Sequence, residues 1–95
     1  GPVLYAHIPL EAKRLILEIL ESGQVGFSGH AEQEMEKDMI TVTDARNVLR
    51  GGLVQRPEER GGTWRYRVVT RRFALVIAFR SPKELTVVTA WRERT

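Results

Sequence analysis

Apolar residues first recur at helical spacing, through Ala12, Leu15, Ile16, Ile19 and Leu20, and the run stops at Gly23. Pro9 stands where a first helical position is expected, so the pattern predicts an amphipathic helix over 9–22 with its stripe toward a sheet. Gln24 to Phe27 reads as a brief connector or strand. Ser28 is placed to cap a second helix, 28–38, whose buried side carries Ala31 and Met35 one turn apart. Thr41-x-x-Asp44 after Ile40 has the spacing of a capping box, with Asp a shorter reacher than Glu. It predicts a third helix, 42–50, running through Ala45, Val48 and Leu49 to Gly51-Gly52, where a left-handed C-cap costs little.

Beyond Gly52 the period changes to two. Leu53–Arg56 reads as a strand, and Pro57–Gly62 as a polar segment ending in a Gly61-Gly62 turn. Thr63–Thr70 alternates Trp64, Tyr66 and Val68 against Arg65, Arg67 and Val69. Phe73–Phe79 is nearly all apolar, as expected of a central strand buried on both faces. Ser81-Pro82-Lys83 turns the chain into a last strand, Leu85–Trp91. The expected fold is α+β: N-terminal helices packed on one face of a four-stranded antiparallel meander spanning 53–92, as one domain over 1–95. Gly1-Pro2 has the form of a scar left by a tag-removing protease and is set aside.

Charge changes this picture most. Residues 1–48 carry Lys13, Arg14, Lys37 and Arg46 against eight acids; residues 49–95 carry eleven Lys/Arg, ten of them Arg, against four acids. The balances are −4 and +7, which make up the chain's +3. Arginine is a planar, always-charged fork suited to phosphate, so an arginine-studded sheet beside an acidic helical half points to a polyanion, with RNA the leading candidate. With no cysteine there is no disulfide framework, thiolate nucleophile or Cys-based zinc site, and a reducing compartment fits best. No apolar run approaches the roughly 20 residues of a membrane span, and no signal segment opens the chain, so a cytoplasmic location without membrane association is expected.

Three features carry candidate chemistry. Arg65 and Arg67 share a strand face by the two-residue period; if Trp64, Tyr66 and Val68 face the helices, both guanidinium groups project onto the uncovered side. Arg56, Arg71, Arg72, Arg92 and Arg94 extend this set along a phosphate backbone. The competing reading is a solvated charged face that suppresses edge pairing. Trp64, Tyr66, Phe73, Phe79 and Trp91 all fall on strands, where stacking on bases competes with ordinary core packing; Tyr66 has a polar tip able to reach a site edge, and Trp91 lies near the chain end. His30, in the first turn of the second helix with Glu34 one turn on, is a candidate general base or acid, although a helix N-terminus disfavours imidazolium and a structural histidine is the plainer reading. His7 has no placed partner. No spacing supports a metal site, no Gly-rich loop cradles a phosphate, and no small-molecule cofactor is expected.

Ser28-Gly29-His30-Ala31-Glu32-Gln33-Glu34-Met35, Ile40-Thr41-x-x-Asp44-Ala45, Val48-Leu49-Arg50-Gly51-Gly52 and Val87-Val88-Thr89-Ala90-Trp91 together resemble a family of short bacterial domains of unknown function. Its members read roughly H-A-x-x-R-M-x-x-R-x-I-[ST]-x-x-[DE]-[VA] and end in a V-[IV]-T-aromatic string. The resemblance covers roughly residues 28–92, and the pattern's two arginines fall at Glu34 and Asp38 here. Such domains are grouped with RelE-, BrnT- and MqsR-like toxins. The resemblance therefore implies that architecture, a ribonuclease toxin, and a cognate antitoxin partner of the zinc-finger type.

The expected function is a metal-independent endoribonuclease cleaving mRNA by 2′-hydroxyl attack. His30, with Glu34 ranked behind it, or Tyr66 would help deprotonate the 2′-hydroxyl; Arg65 and Arg67, with Arg71 or Arg72, would stabilise the phosphorane. The alternatives are a non-catalytic module binding RNA or an acidic protein through the same face, and an adaptor whose acidic helices and basic sheet associate head to tail.

Overall fold

The computed structural model describes residues 6–94, so Gly1-Pro2 lies outside the described residues. Helix α1 (Pro9–Ser22) leads into strand β1 (Gln24–Phe27), helices α2 (Gly29–Lys37) and α3 (Val42–Gly51), and strands β2 (Leu53–Val54), β3 (Glu58–Arg60), β4 (Thr63–Val69), β5 (Phe73–Ser81) and β6 (Glu84–Arg92). The local signals act as read. The Ser28 hydroxyl accepts from the Ala31 N–H at 3.0 Å, and Thr41 and Asp44 exchange both bonds of a capping box. At the far end of α3 the Lys13 ammonium, reaching across from α1, donates to the carbonyls of Leu49, Arg50 and Gly52. Those are the orphan acceptors of a helix C-terminus, where a cation is also favoured by the dipole.

The three helices cover one face of a six-stranded sheet of order β1-β6-β5-β4-β2, with β3 also on β4. Ala12, Ile16 and Ile19 of α1, Ala31 and Met35 of α2, and Ala45, Val48 and Leu49 of α3 pack onto Tyr66, Val68, Leu75, Ile77, Leu85 and Val87 of the sheet. Strand β5 lies at the centre, which accounts for its unbroken apolar run.

The expected four-stranded antiparallel meander differs from this sheet in three places. Gln24–Phe27 is a strand and pairs in parallel with β6, Phe27 against Val87, making the sheet mixed. The strand expected over Leu53–Arg56 ends at Val54; Gln55 still donates to the Arg67 carbonyl, and Pro57, with no N–H, then interrupts the ladder. The polar segment after it forms β3, a hairpin with β4 through Gly61-Gly62, whose φ values of +57° and +82° are those that a tight two-residue turn demands. Every residue of β3 is exposed, so no apolar alternation could have marked it, and its charges guard the sheet edge.

The expected left-handed C-cap at Gly51-Gly52 is also absent. Gly52 is extended, at φ −77° and ψ 163°. Its lack of a side chain serves close packing instead, because a Cβ there would sit 2.8 Å from Val68 Cγ1 and 2.5 Å from the Val48 carbonyl.

Candidate nucleic-acid interface

The face of the sheet away from the helices is built by strand parity and by one irregularity. On β4, Tyr66 and Val68 turn inward, which sends Arg65 and Arg67 outward. Arg67 lies opposite Val76 of β5, and Val76 opposite Thr89 of β6. Between Val76 and Ile77 the register shifts: Ile77 pairs with Val87, leaving Val88 as an extra residue. A bulge of this kind reverses the alternation. Leu85 and Val87 point to the core before it, Ala90 after it, and Thr89 and Trp91 come out beside the arginines. Ser28 holds the bulge, its N–H donating to Val87 O and its hydroxyl to Val88 O at 2.8 Å.

The outward residues enclose a cleft of about 290 Å³ lined by Gln55, Arg56, Glu58, Arg60, Arg65, Arg67, Val76, Thr89 and Trp91. Four guanidinium groups thus meet one carboxylate. The Arg67 guanidinium carbon stands 5.3 Å from the Trp91 ring centroid, a cation–π stack, and Trp91 Nε1 donates to Glu93 Oε1 at 3.1 Å. Arg65 Nε is buried and has no hydrogen-bond partner among the described residues. A donor shut away unpaired is costly. The arrangement sets a cationic wall beside a flat aromatic ring.

Of the expected catalytic set, Arg65 and Arg67 share this cleft, and Tyr66 and His30 do not line it. Tyr66 is 1% exposed under the helices, on the opposite face; its hydroxyl accepts from the His7 N–H at 2.6 Å, and its ring packs edge-on against Phe79, as does that of His7. Burial pushes its phenol above the ordinary value. The same parity that frees the arginines buries Tyr66, so the two cannot act on one phosphate. His30 is exposed in the first turn of α2.

The arginines expected to bind RNA divide. Arg56 lines the cleft. Arg71 and Arg72 are exposed at the β4–β5 turn. Arg92, past the bulge, is carried to the helix side: it lies over the Phe73 ring, donates from its guanidinium to the Asp38 carbonyl, and its N–H donates to Asp38 Oδ2 at 2.9 Å. Arg94 flanks it in a shallow recess with Lys37, Asp38 and Met39. Arg92 and Arg94 therefore do not continue the Arg65–Arg67 row. Asp38, one of the two acids at the pattern's arginine positions, ties α2 to β6. Gln55, Glu58, Arg60 and Thr89 were not among the expected site residues; for Glu58 and Arg60 the one signal is the Gly61-Gly62 turn that folds residues 58–60 back onto β4. Among the described residues no group of three or more His, Asp or Glu side chains is arranged to hold a metal ion, and no helix is long and apolar enough to cross a membrane.

A family model described as Domain of unknown function (DUF4258) matches residues 27–92. The chain belongs to that family. The match takes in α2, α3 and the strands from β2 to β6, and so includes every residue lining the cleft. Comparison with curated proteins and with solved structures gives no match.

Proposed function

We propose that the outer face of the sheet binds single-stranded RNA and that this DUF4258 domain is an endoribonuclease of the toxin type that works without metal. The observation that carries this reading is the convergence of Arg56, Arg60, Arg65 and Arg67 on one cleft beside the Trp91 ring. Guanidinium groups hold phosphate in bidentate fashion, an aromatic face accepts any unstacked base, and preorganised positive charge does most to stabilise a dianionic phosphorane. The products would be a 2′,3′-cyclic phosphate and a 5′-hydroxyl. The toxin assignment, a cytoplasmic site of action, an antitoxin partner and kinship with the RelE- and MqsR-like architecture rest on the motif resemblance in α2, α3 and β6.

A second reading, an RNA-binding module without catalysis, is favoured by the cleft's having neither an imidazole nor a phenol in its lining among the described residues. One experiment separates them. Labelled single-stranded RNA is incubated with the protein in EDTA, beside an Arg65→Ala/Arg67→Ala double variant. Chelator-resistant cleavage lost in the variant supports the nuclease; salt-sensitive binding without cleavage supports the module. Absence of RNA binding at about 100 mM salt overturns both. Growth arrest on induction, relieved by a neighbouring gene product, tests the toxin assignment.

A further inference from the structure

We infer that Glu58 is the general base of the arginine cleft, a role that rests on the ribonuclease reading above. Cleavage by 2′-hydroxyl attack needs an acceptor for one proton, and the two groups the sequence offers most readily, Tyr66 and His30, do not line the cleft. Among the residues lining it, Glu58 alone has a carboxylate. It stands directly across the ladder from Arg65, on the same face, one strand from the buried and unpartnered Arg65 Nε. Directly opposed residues of an antiparallel pair have Cβ atoms about 5 Å apart, so a phosphate gripped by Arg65 lies within reach of the Glu58 carboxylate through its neighbouring ribose. The other acids nearby are turned elsewhere: Glu59 opposes Trp64 on the helix side, and Glu93 accepts from Trp91 Nε1. Arg56 and Arg60 on its own segment and Arg65 and Arg67 on β4 line the same cleft around Glu58.

The step balances without a redox partner. The 2′-O–H proton passes to Glu58; the 2′-oxygen forms a bond to phosphorus as the P–O5′ bond breaks. The 5′-oxygen departs with that electron pair and takes a proton from solvent, and Glu58 returns its own proton to solvent. Arg65 and Arg67 hold the phosphorane oxygens throughout. Glu58 is thereby a catalytic residue, and its opposition to Arg65 also places it.

The test compares wild type, Glu58→Gln and Glu58→Asp, each followed by cleavage of a labelled single-stranded RNA, by Kd for the 2′-O-methyl form of the same RNA, and by Tm. Expected for Glu58→Gln is a loss of about 10²–10⁴-fold in kcat, with binding equal or tighter because a negative charge has gone. Glu58→Asp, with its carboxylate one methylene short, retains part of the rate. A purely structural Glu58–Arg65 pair would instead move Tm and Kd and spare kcat. Wild-type cleavage that persists within about fivefold in Glu58→Gln overturns the base assignment and leaves the ribonuclease reading standing. Failure of the wild type itself to cleave overturns both.

Discussion

The guanidinium of Arg67 on β4 and the indole of Trp91 on β6 stack at 5.3 Å across the intervening strand β5. What lies between them is small: Ala74 and Val76 supply the outward side chains of β5, so two long side chains can meet above them. The stack joins the charged and the aromatic parts of the cleft. It also fixes the Trp91 ring with a cation on one side.

Trp91→Ala is expected to weaken binding of single-stranded RNA by about 1–3 kcal/mol while leaving the salt dependence unchanged, since stacking releases no counterions. If Arg67 holds a phosphate as proposed, Arg67→Ala lowers the slope of log K against log salt by about 0.7. Fluorescence anisotropy titrations at several salt concentrations read both quantities. Equal salt slopes in wild type and Arg67→Ala would remove Arg67 from the backbone contacts.

Ser28 couples stability to the shape of the cleft. One hydroxyl accepts from the Ala31 N–H to cap α2 and donates to the carbonyl of the bulged Val88. Ser28→Ala loses the cap and orphans that carbonyl, so the expected cost is about 1–3 kcal/mol in urea unfolding. RNA affinity should drop beyond the effect of unfolding, because Thr89 and Trp91 owe their outward direction to the bulge. A variant destabilised to this degree with wild-type affinity would mean that β6 keeps its bulge without the serine.

Tyr66 is a core residue in this fold, and Tyr66→Phe separates that role from catalysis. Loss of the bond from the His7 N–H should cost about 0.5–1.5 kcal/mol near neutral pH, with RNA cleavage and binding unchanged. The alkaline behaviour follows from burial, which raises the folded-state phenol above the ordinary value of 10.0. Just above that value the unfolded chain gives up the proton while the folded chain keeps it. The unfolded state then binds fewer protons, so stability declines as pH rises. Denaturant titrations at about pH 9 and about pH 11 should show wild type losing more stability than Tyr66→Phe between the two.

Met39 ends α2 in a left-handed conformation, φ +56°, with its side chain 80% exposed. Its N–H donates to Glu36 O and the Ile40 N–H to Met35 O, the paired bonds of a Schellman motif in which glycine is usual. Met39→Gly should therefore stabilise by about 0.5–1 kcal/mol, because the steric cost of a Cβ in that region outweighs the entropy glycine loses on folding. The contrasting change, Gly52→Ala, should destabilise, since its new Cβ would strike Val68 and the Val48 carbonyl. Paired urea melts check both signs.

The helices were legible because their signals act within one turn. Pro9, the Ser28 cap and the Thr41–Asp44 box place α1, α2 and α3 to within a residue or so of where the pattern puts them. The central strand showed in its unbroken apolar run, and the outward direction of Arg65 and Arg67 followed from the apolar residues alternating with them. The cleft was only half legible. Its arginines on β4 could be named; Glu58 and Arg60 lie in a segment with no apolar alternation, and Thr89 and Trp91 would be assigned to the same face as Leu85 and Val87 by strict parity.

By itself, then, the sequence determined an α+β chain with three helices, the second and third capped by Ser28 and Thr41, a charge-divided surface and a β4 strand with one apolar and one cationic face. Only the tertiary structure decided that β1 joins the sheet in parallel, that β3 closes the cleft wall, and that Trp91 rather than Arg92 stands beside Arg67. The reason is range: a cap or a two-residue period is settled by neighbours along the chain. A bulge depends on which distant carbonyl finds a donor, here Val88 meeting Ser28 from 60 residues away.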